Sequence, residues 1–390
     1  MNKKTITPIY SVVQAFYLVS CCVIFSFAAV YLQDLGYSNI EIGLILVIGN
    51  LASTFLGLIP PILIDKSKNF SAANLTPFIF ILQAFFFIGL IILPMRCILT
   101  SVCFSGLTAC CHMISPMLSK LYADFAYNNI KINFGIARGV ASFSYALGSV
   151  LLGILIKYIS VMTLPWLGLI VCVMQIIFHF LLCNRLPKNI KKHETETGTP
   201  VFLFIKANPR FCMLLLGIMF IFFGHYSIFS FLINVVKNVG GDEATMGYLN
   251  GFMAAIEIPV MLFFNYLRKQ KKISVILLFA IFCFALRGIA VAAAISIPAL
   301  FISFFLQAPS FALYTPAIID YVNETISYCD SAKAQSLSYS MVTIGAVLSS
   351  ACAGWLYDNT TVSFTLWVAA IMCIIGVLFA FLALKKNNHA

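Results

Sequence analysis

The sequence predicts an all-α membrane protein of about twelve transmembrane helices, arranged as two pseudo-symmetric six-helix bundles. Three observations support this fold class: an apolar composition, apolar segments that recur from end to end, and a weak internal repeat. Of the 390 residues, 62% are hydrophobic and only 9% are charged. Such a composition excludes a soluble globular domain.

The recurring apolar segments are long enough to cross roughly 30 Å of hydrocarbon as helices. Short polar turns or turns containing Gly, Pro or Asn separate them. The predicted spans centre near Ser20, Ser53, Phe85, Thr108, Tyr145, Val173, Phe222, Ala255, Phe282, Phe311, Ala346 and Met372.

The basic residues predict the topology. An even number of spans leaves both termini on one side, and most Lys and Arg residues fall in the loops of that same side. The opposite side keeps only Arg96, Lys157 and Lys237. Because cytoplasmic loops are enriched in Lys and Arg, both termini are expected in the cytoplasm, with the chain in the cell (inner or plasma) membrane. The net charge of +11 then reflects topology and contact with anionic lipid, and no nucleic-acid partner is expected.

The longest polar connection predicts the domain boundary. It covers residues 184–208 and separates an N-terminal bundle, 1–183, from a C-terminal bundle, 209–390. Leu35-Gly36 before Gly43 recurs as Val239-Gly240 before Gly247. These echoes favour two parallel repeats that face each other across a central cavity.

Small residues spaced four apart predict close helix contacts. The glycines concerned are Gly49 in span 2, Gly135 and Gly139 in span 5, and Gly345 in span 11.

Three ionisable residues fall within predicted spans: Arg138 in span 5, Glu257 in span 8 and Arg287 in span 9. Charges at membrane depth are costly, so each is a functional candidate. Arg138 is the candidate for binding a carboxylate or the hydroxyls of a sugar. Glu257 is the candidate proton site, with Arg287 biasing its protonation. The alternative is a permanent ion pair of Glu257 with Arg287 or Arg138 that only fixes helix packing.

Further polar residues occupy mid-span positions. His225 in span 7 is either a proton relay or a histidine hydrogen-bonded within the bundle. Gln14, Asn250 and Gln307 are candidates for lining a substrate cavity, because hydrocarbon offers them no hydrogen-bond partner. The alternative is that each side-chain amide forms a hydrogen bond between two helices.

Enzymatic chemistry and metal binding are not expected. No nucleophile, base and orienting group occur together, and no HExxH pattern is present. Cys110, Cys111 and His112 are adjacent, but neighbours on a helix point about 100° apart and do not form a metal site by themselves. No cofactor is expected.

Several of these segments resemble the major facilitator superfamily, and within it the lactose-permease-like group of oligosaccharide and proton symporters. Asn133-Phe-Gly-Ile-Ala-Arg138-Gly is similar to the segment whose arginine binds the sugar. Glu257 and Arg287 resemble the glutamate and arginine that serve in coupling and binding. Asp65-Lys66 lies where the superfamily carries its cytoplasmic gating motif. The resemblance implies a major facilitator fold and secondary transport by alternating access.

The departures from that group bear on the substrate. Ser119 lies in the region where lactose permease has a glutamate that pairs with the span 5 arginine, so Ser119 becomes a candidate substrate contact. In span 10, Phe304, Gln307 and Ser310 stand in place of the group's Lys, His and Glu. The expected function is proton symport of a small polar or weakly acidic solute, such as a sugar, nucleoside or organic acid, by a monomer. A drug or metabolite exporter, an uncoupled facilitator and a passive channel are the alternatives.

Overall fold

The computed structural model of the chain describes residues 6–57, 59–66, 71–128, 130, 132–185 and 200–385. The chain divides into two compact units. The first unit comprises Met1–His193 with Asp242–Ala255, and the second comprises Glu194–Gly241 with Ile256–Ala390. Residues 186–199 of the predicted connection lie outside the described residues. The division of the chain at 183 and 209 stays a prediction.

The described residues contain twelve helical segments that are long and apolar enough to cross a membrane, which confirms the predicted number. Every predicted centre falls within one of them, because the length of an apolar run is a local property of the sequence. We number the spans 1 to 12: Ile6–Ser26, Asn39–Leu56, Ala72–Ile92, Ile98–Phe125, Phe134–Tyr158, Thr163–Cys183, Pro209–Phe229, Glu243–Phe264, Ile273–Ala292, Ile297–Thr325, Lys333–Asn359 and Val362–Leu384.

The helices continue beyond some spans and change winding within others. The helices of spans 4, 8 and 11 run over Ile98–Tyr127, Glu243–Gln270 and Tyr328–Asn359. Span 1 consists of the α-helix Ile6–Cys21 and a π-helical turn, Cys22–Ser26. Span 10 consists of Ile297–Phe304, a π-helical turn at Ala308–Ala312, and Leu313–Thr325. Shorter helices cover Ala28–Asp34, Ile59–Lys66, Val201–Ala207 and Leu232–Asn238.

The two turns that the sequence repeat singled out adopt the same backbone conformation. Gly36 has φ of 84° and Gly240 has φ of 83°, a region that residues with a Cβ rarely adopt. In both turns the next residue's N–H donates to the carbonyl five residues earlier: Tyr37 to Leu32 at 3.0 Å and Gly241 to Val236 at 2.9 Å. The repeat is therefore visible in local geometry.

A polar N-cap follows each turn and starts the next span. The Ser38 hydroxyl accepts from the Glu41 N–H at 3.3 Å, and Asp242 Oδ1 accepts from the Thr245 N–H at 2.8 Å. Each cap satisfies a backbone donor that the first helical turn leaves unpaired.

Within the first unit, span 5 and the start of span 8 touch backbone to backbone. A Cβ atom on Gly247 would lie 2.6 Å from the Ser149 carbonyl oxygen and 2.9 Å from the Gly153 Cα atom. A Cβ atom on Gly251 would lie 2.9 Å from the Ala146 carbonyl oxygen. Only glycine fits this contact without moving a backbone.

The predicted glycine contacts are confirmed in spans 2 and 11 but not in span 5. A Cβ on Gly49 would lie 2.7 Å from Thr108, and one on Gly345 would lie 2.6 Å from the Met219 carbonyl oxygen. Gly139, by contrast, has no neighbouring atom within 4 Å of its Cβ position. The prediction for span 5 was wrong in position, because spacing alone does not identify which turn of a helix meets a neighbour.

An ion pair joins the ends of the same two spans. Lys157 Nζ lies 2.7 Å from Asp242 Oδ2. The hydrogen bond from Lys157, together with the Thr245 N–H, lowers the pKa of Asp242 to about 2. Asp242 therefore both caps span 8 and holds it to span 5.

We expect Gly247→Ala to lower thermal stability, because the added methyl group meets a backbone oxygen that has no room to move. Overpacking of this kind costs about 1–3 kcal/mol. The matched control is Gly139→Ala, whose Cβ meets open space and which replaces a helix-interior glycine. Thermal unfolding of both variants in detergent measures the difference. Equal melting temperatures for the two variants would contradict the contact.

Asp242→Asn keeps an oxygen that caps the helix but removes the charge paired with Lys157. Because the pKa of Asp242 is lowered from its ordinary 3.8 to about 2, its contribution to stability is present above the ordinary value and is lost as pH falls through about 2. The difference in melting temperature between wild type and variant should be constant from about pH 5 to pH 8 and shrink below about pH 3. A difference that grows on acidification would count against the ion pair.

Candidate functional site

Four polar side chains from spans 7 to 10 form one hydrogen-bonded chain inside the second unit. Gln307 Nε2 donates to Glu257 Oε1 at 2.7 Å. Arg287 Nη1 donates to Gln307 Oε1, and Arg287 Nη2 donates to His225 Nδ1 at 2.7 Å. The chain thus links the carboxylate of Glu257 to the imidazole of His225 through an amide and a guanidinium.

Arg287 is the centre of this network and is only 2% exposed. Its Nη1 also lies 3.4 Å from Ser310 Oγ, and its guanidinium carbon lies 4.8 Å from the centre of the Phe284 ring. Its Nε atom has no hydrogen-bond partner among the described residues. Most of the Arg287 donors are therefore committed to groups of the protein, and a solute would have to displace one of them to bind there.

The hydrogen bond to Arg287 fixes the protonation of His225. A guanidinium has donors only, so His225 Nδ1 must accept and carry no proton. The imidazole is therefore neutral, with its proton on Nε2. Five aromatic rings surround it with centres 5.0 to 5.8 Å away: Phe222, Tyr226, Phe229, Phe284 and Phe311.

The π-helical turn of span 10 places two members of the network. Pro309 lies at its start and has no N–H, so the regular helical hydrogen-bond ladder is interrupted there. Gln307 immediately precedes the turn and Ser310 lies within it. Turns of this kind are frequent at functional sites because they redirect side chains.

Glu257 differs from the other members in being half-buried, whereas Arg287, Gln307 and His225 are buried. Its carboxylate lies at one end of the hydrogen-bonded chain, next to the Gln307 amide. The expected pairing of Glu257 with Arg287 takes an indirect form, because the Gln307 amide bridges the two. Gln307, a candidate substrate contact, is 4% exposed. Its amide oxygen accepts a hydrogen bond from Arg287, and its amide nitrogen donates one to Glu257.

Three other candidate substrate residues, Arg138, Gln14 and Ser119, belong to the first unit. Arg138 is exposed, and its positive charge is within electrostatic range of the Tyr10 hydroxyl. Gln14 is buried and donates to that hydroxyl at 2.9 Å. Ser119 is exposed and donates back to the Ser115 carbonyl oxygen at 3.1 Å. Arg138 is thus the exposed, charged candidate in this group, whereas Gln14 is buried and holds the Tyr10 hydroxyl.

Asn250 in span 8 is 1% exposed, and neither atom of its side-chain amide has a hydrogen-bond partner among the described residues. Its role in substrate binding stays a prediction. Asp65 and Lys66, the candidate gating residues, end the helix Ile59–Lys66, but their side chains lie outside the described residues.

The structure adds a group of residues that sequence reasoning did not assign to a site. The rings of Phe25 and His112 lie 4.8 Å apart between centres, and Ser26 Oγ lies 2.5 Å from the Tyr145 hydroxyl. Phe25, His112 and Tyr145 are half-buried. A histidine and a tyrosine at mid-span were the available signals, but their neighbours depend on helix rotation.

Comparison with solved structures shows the fold. A mutant form of the nucleoside transporter NupG superposes with a TM-score of 0.80 at 15% identity, covering 99% of this chain and 100% of that chain. A bacterial homologue of the human lysosomal transporter Spinster gives 0.70 at 14% identity, covering 98% and 97%. An auto-inhibited POT family peptide transporter gives 0.74 at 13% identity, covering 98% of both chains.

Sequence comparison gives the family. No curated protein matches the chain. The MFS_1 like family matches over residues 9–368, which is most of the chain and includes every member of the network around Arg287. The chain therefore belongs to the MFS_1 like family and is a membrane transporter of the major facilitator type.

Proposed function

We propose that the protein is a secondary transporter that takes up a small polar or weakly acidic solute together with protons, by alternating access. A sugar, a nucleoside or an organic acid is the expected solute class. Glu257 carries the coupling proton, Arg287 balances its charge, and Arg138 binds the solute.

The observation that carries this proposal is the chain from Glu257 through Gln307 and Arg287 to His225. The guanidinium of Arg287 stays charged, so ionised Glu257 makes the network neutral. Protonated Glu257 leaves it with one positive charge. A net charge at membrane depth costs about 3 kcal/mol on insertion scales, so gain of a proton changes the energy of each conformation of these spans.

A purely structural ion pair is the competing interpretation of the same residues. Such a pair needs no half-buried member, since solvent access weakens the attraction between its charges. Glu257 is half-buried and reaches Arg287 through an amide that also holds the arginine. That arrangement favours a carboxyl group that exchanges protons.

His225 is less suited to relay protons than the sequence alone suggested. Its Nδ1 accepts from Arg287, and protonating that atom would break the bond and place two cations side by side. Its role in the proposal is to hold Arg287 in position, with Glu257 as the titrating group.

Arg138 is proposed as the solute-binding residue because its guanidinium is exposed in the first unit. A planar fork of donors binds carboxylates and vicinal hydroxyls in two-point contacts. Asn250 and Gln307 remain secondary candidates, with Asp65 and Lys66 for gating.

The cellular setting is part of the proposal. The excess of Lys and Arg in alternate loops supports cytoplasmic termini, and a cell (inner or plasma) membrane location follows from uptake driven by protons. A monomer is expected. A drug or metabolite exporter that exchanges with protons, or an uncoupled facilitator, is the second candidate, and the direction of proton movement distinguishes them.

We expect Glu257→Gln to retain exchange of solute between the two sides of proteoliposomes and to lose accumulation driven by an imposed pH gradient. The amide keeps hydrogen bonding but carries no exchangeable charge. Uptake of radiolabelled uridine, lactose and benzoate, with and without the gradient, measures both activities.

The matched control is Glu243→Gln, the same substitution in the first turn of the same span. It should leave gradient-driven accumulation unchanged. Accumulation that persists in Glu257→Gln would contradict the assignment of the proton site.

We expect Arg138→Ala to abolish the thermal stabilisation that bound solute gives to purified protein, and Arg138→Lys to restore only part of it, because lysine lacks the planar fork. A panel of sugars, nucleosides and organic acids provides the ligands. Arg185→Ala, also at an exposed arginine near the end of a span, is the control. An unchanged response in Arg138→Ala would remove this residue from the binding site.

A further inference from the structure

We propose that Phe25 and His112 form a subsite for a planar heteroaromatic ring, so that the solute is a nitrogen heterocycle bearing a polar or anionic group. A nucleoside or a pyridine carboxylate has this chemistry. The inference rests on the proposed solute uptake and deepens it by naming the class of solute.

The π-helical turn at Cys22–Ser26 positions the subsite. A π turn inserts an extra residue and rotates the following side chains away from the regular helical positions. Phe25 lies in this turn and is half-buried, whereas Cys22 and Ile24 of the same turn are 0% and 1% exposed. The turn therefore packs its four other side chains inward and leaves one aromatic ring partly open.

His112 provides the polar edge of the subsite. It lies near the middle of span 4, and its ring centre is 4.8 Å from that of Phe25 with 45° between the planes. Its imidazole makes no hydrogen bond to any described residue, although the Cys111 thiol beside it is fully buried and lies in hydrogen-bond contact with the free thiol of Cys21, 3.3 Å between the sulfur atoms. A polar ring at this depth without a partner is costly, and a ligand that supplies one removes that cost.

The contact between the two rings limits how a ligand ring binds. Two rings in contact leave no room for a third between them, so the ligand stacks on the face that the pair leaves open. Aromatic pairs favour offset or tilted arrangements, which this geometry allows. The imidazole then offers one donor and one acceptor to the edge of the ligand ring.

The polar groups nearby fit a heterocycle better than a sugar. The Ser26 and Tyr145 hydroxyls already bond to each other at 2.5 Å. One imidazole and one shared hydroxyl pair give two or three polar contacts, enough for a ring nitrogen and a carbonyl but few for the many hydroxyls of a sugar.

Arg138 supplies the site for the second part of the solute. Tyr145 follows Arg138 by seven residues, so both side chains lie on one face of span 5, about 10 Å apart along the helix. A solute whose anionic or hydroxyl-bearing group binds Arg138 and whose ring lies near Phe25 would contact this same face of span 5. This spacing suits a solute with a ring at one end and a polar group at the other.

Calorimetric binding to purified protein at fixed pH tests the subsite. Nicotinate and cyclohexanecarboxylate form a matched ligand pair, since both carry one carboxylate but only nicotinate has a heteroaromatic ring. Uridine and glucose extend the comparison. We expect nicotinate to bind more tightly than cyclohexanecarboxylate, and uridine more tightly than glucose, because only nicotinate and uridine carry a heteroaromatic ring.

Phe25→Leu should weaken binding of the ring compounds roughly tenfold, as expected for the loss of one stacking contact. The control is Phe16→Leu in the same span, where a half-buried phenylalanine packs on Phe178 at 5.7 Å between ring centres. His112→Leu should also weaken ring binding, and His112→Gln should restore part of it by supplying an amide. These effects should be absent for the non-aromatic ligands cyclohexanecarboxylate and glucose.

Three results would overturn the subsite: no binding of heteroaromatic compounds, preferential binding of glucose, or equal effects of the substitutions at Phe16 and Phe25. Failure of proton coupling would look different. In that case ring compounds would bind and Phe25→Leu would weaken them, but a pH gradient would not drive their accumulation.

Discussion

The hydrocarbon interior offers no hydrogen bonds, and every polar group in the twelve spans has to find its partner within the protein or in a ligand. Within the helices, most backbone N–H and C=O groups are hydrogen-bonded to each other. Among side chains, the most demanding case is Arg287, a fully charged group that is 2% exposed. Its N–H groups donate hydrogen bonds to His225, Gln307 and Ser310. The opposing negative charge is that of Glu257, which is hydrogen-bonded to Gln307. The proposed coupling depends on this need for partners. When Glu257 loses its negative charge, the free energy of keeping the charged Arg287 in the membrane interior rises.

The same need for hydrogen-bond partners draws attention to buried polar groups that have none among the described residues. Both side-chain amides of Gln175 and Asn250 are buried without hydrogen bonds to described residues. His112 also makes none, yet it is half-buried, and its ring lies tilted against that of Phe25 in a π-helical turn. A fully enclosed amide is best served by an internal water molecule, whereas a half-open imidazole next to an aromatic face is suited to a solute. This difference is why the ring subsite is assigned to His112 and not to Gln175 or Asn250.

Local features of this structure follow from the sequence, and features that depend on helix rotation do not. The number of spans and the turns at Gly36 and Gly240 are set by apolar length and by positive φ, both of which are local. Glu257, Arg287 and His225 were identified by their cost in the membrane. The bridging position of Gln307 was not, because it depends on the π turn that follows it in span 10. The glycine contact of span 5 lies at Gly153 and not at Gly139 for a similar reason, since the choice of turn is made by the neighbouring helix.

We propose above that one proton enters with the solute through Glu257. The most direct measurement is the pH of a lightly buffered suspension of proteoliposomes when nicotinate or uridine is added without an imposed gradient. We expect the external medium to become alkaline in step with solute entry, and Glu257→Gln vesicles to admit solute with no change in pH. Solute entry into wild-type vesicles with no alkalinisation would contradict it.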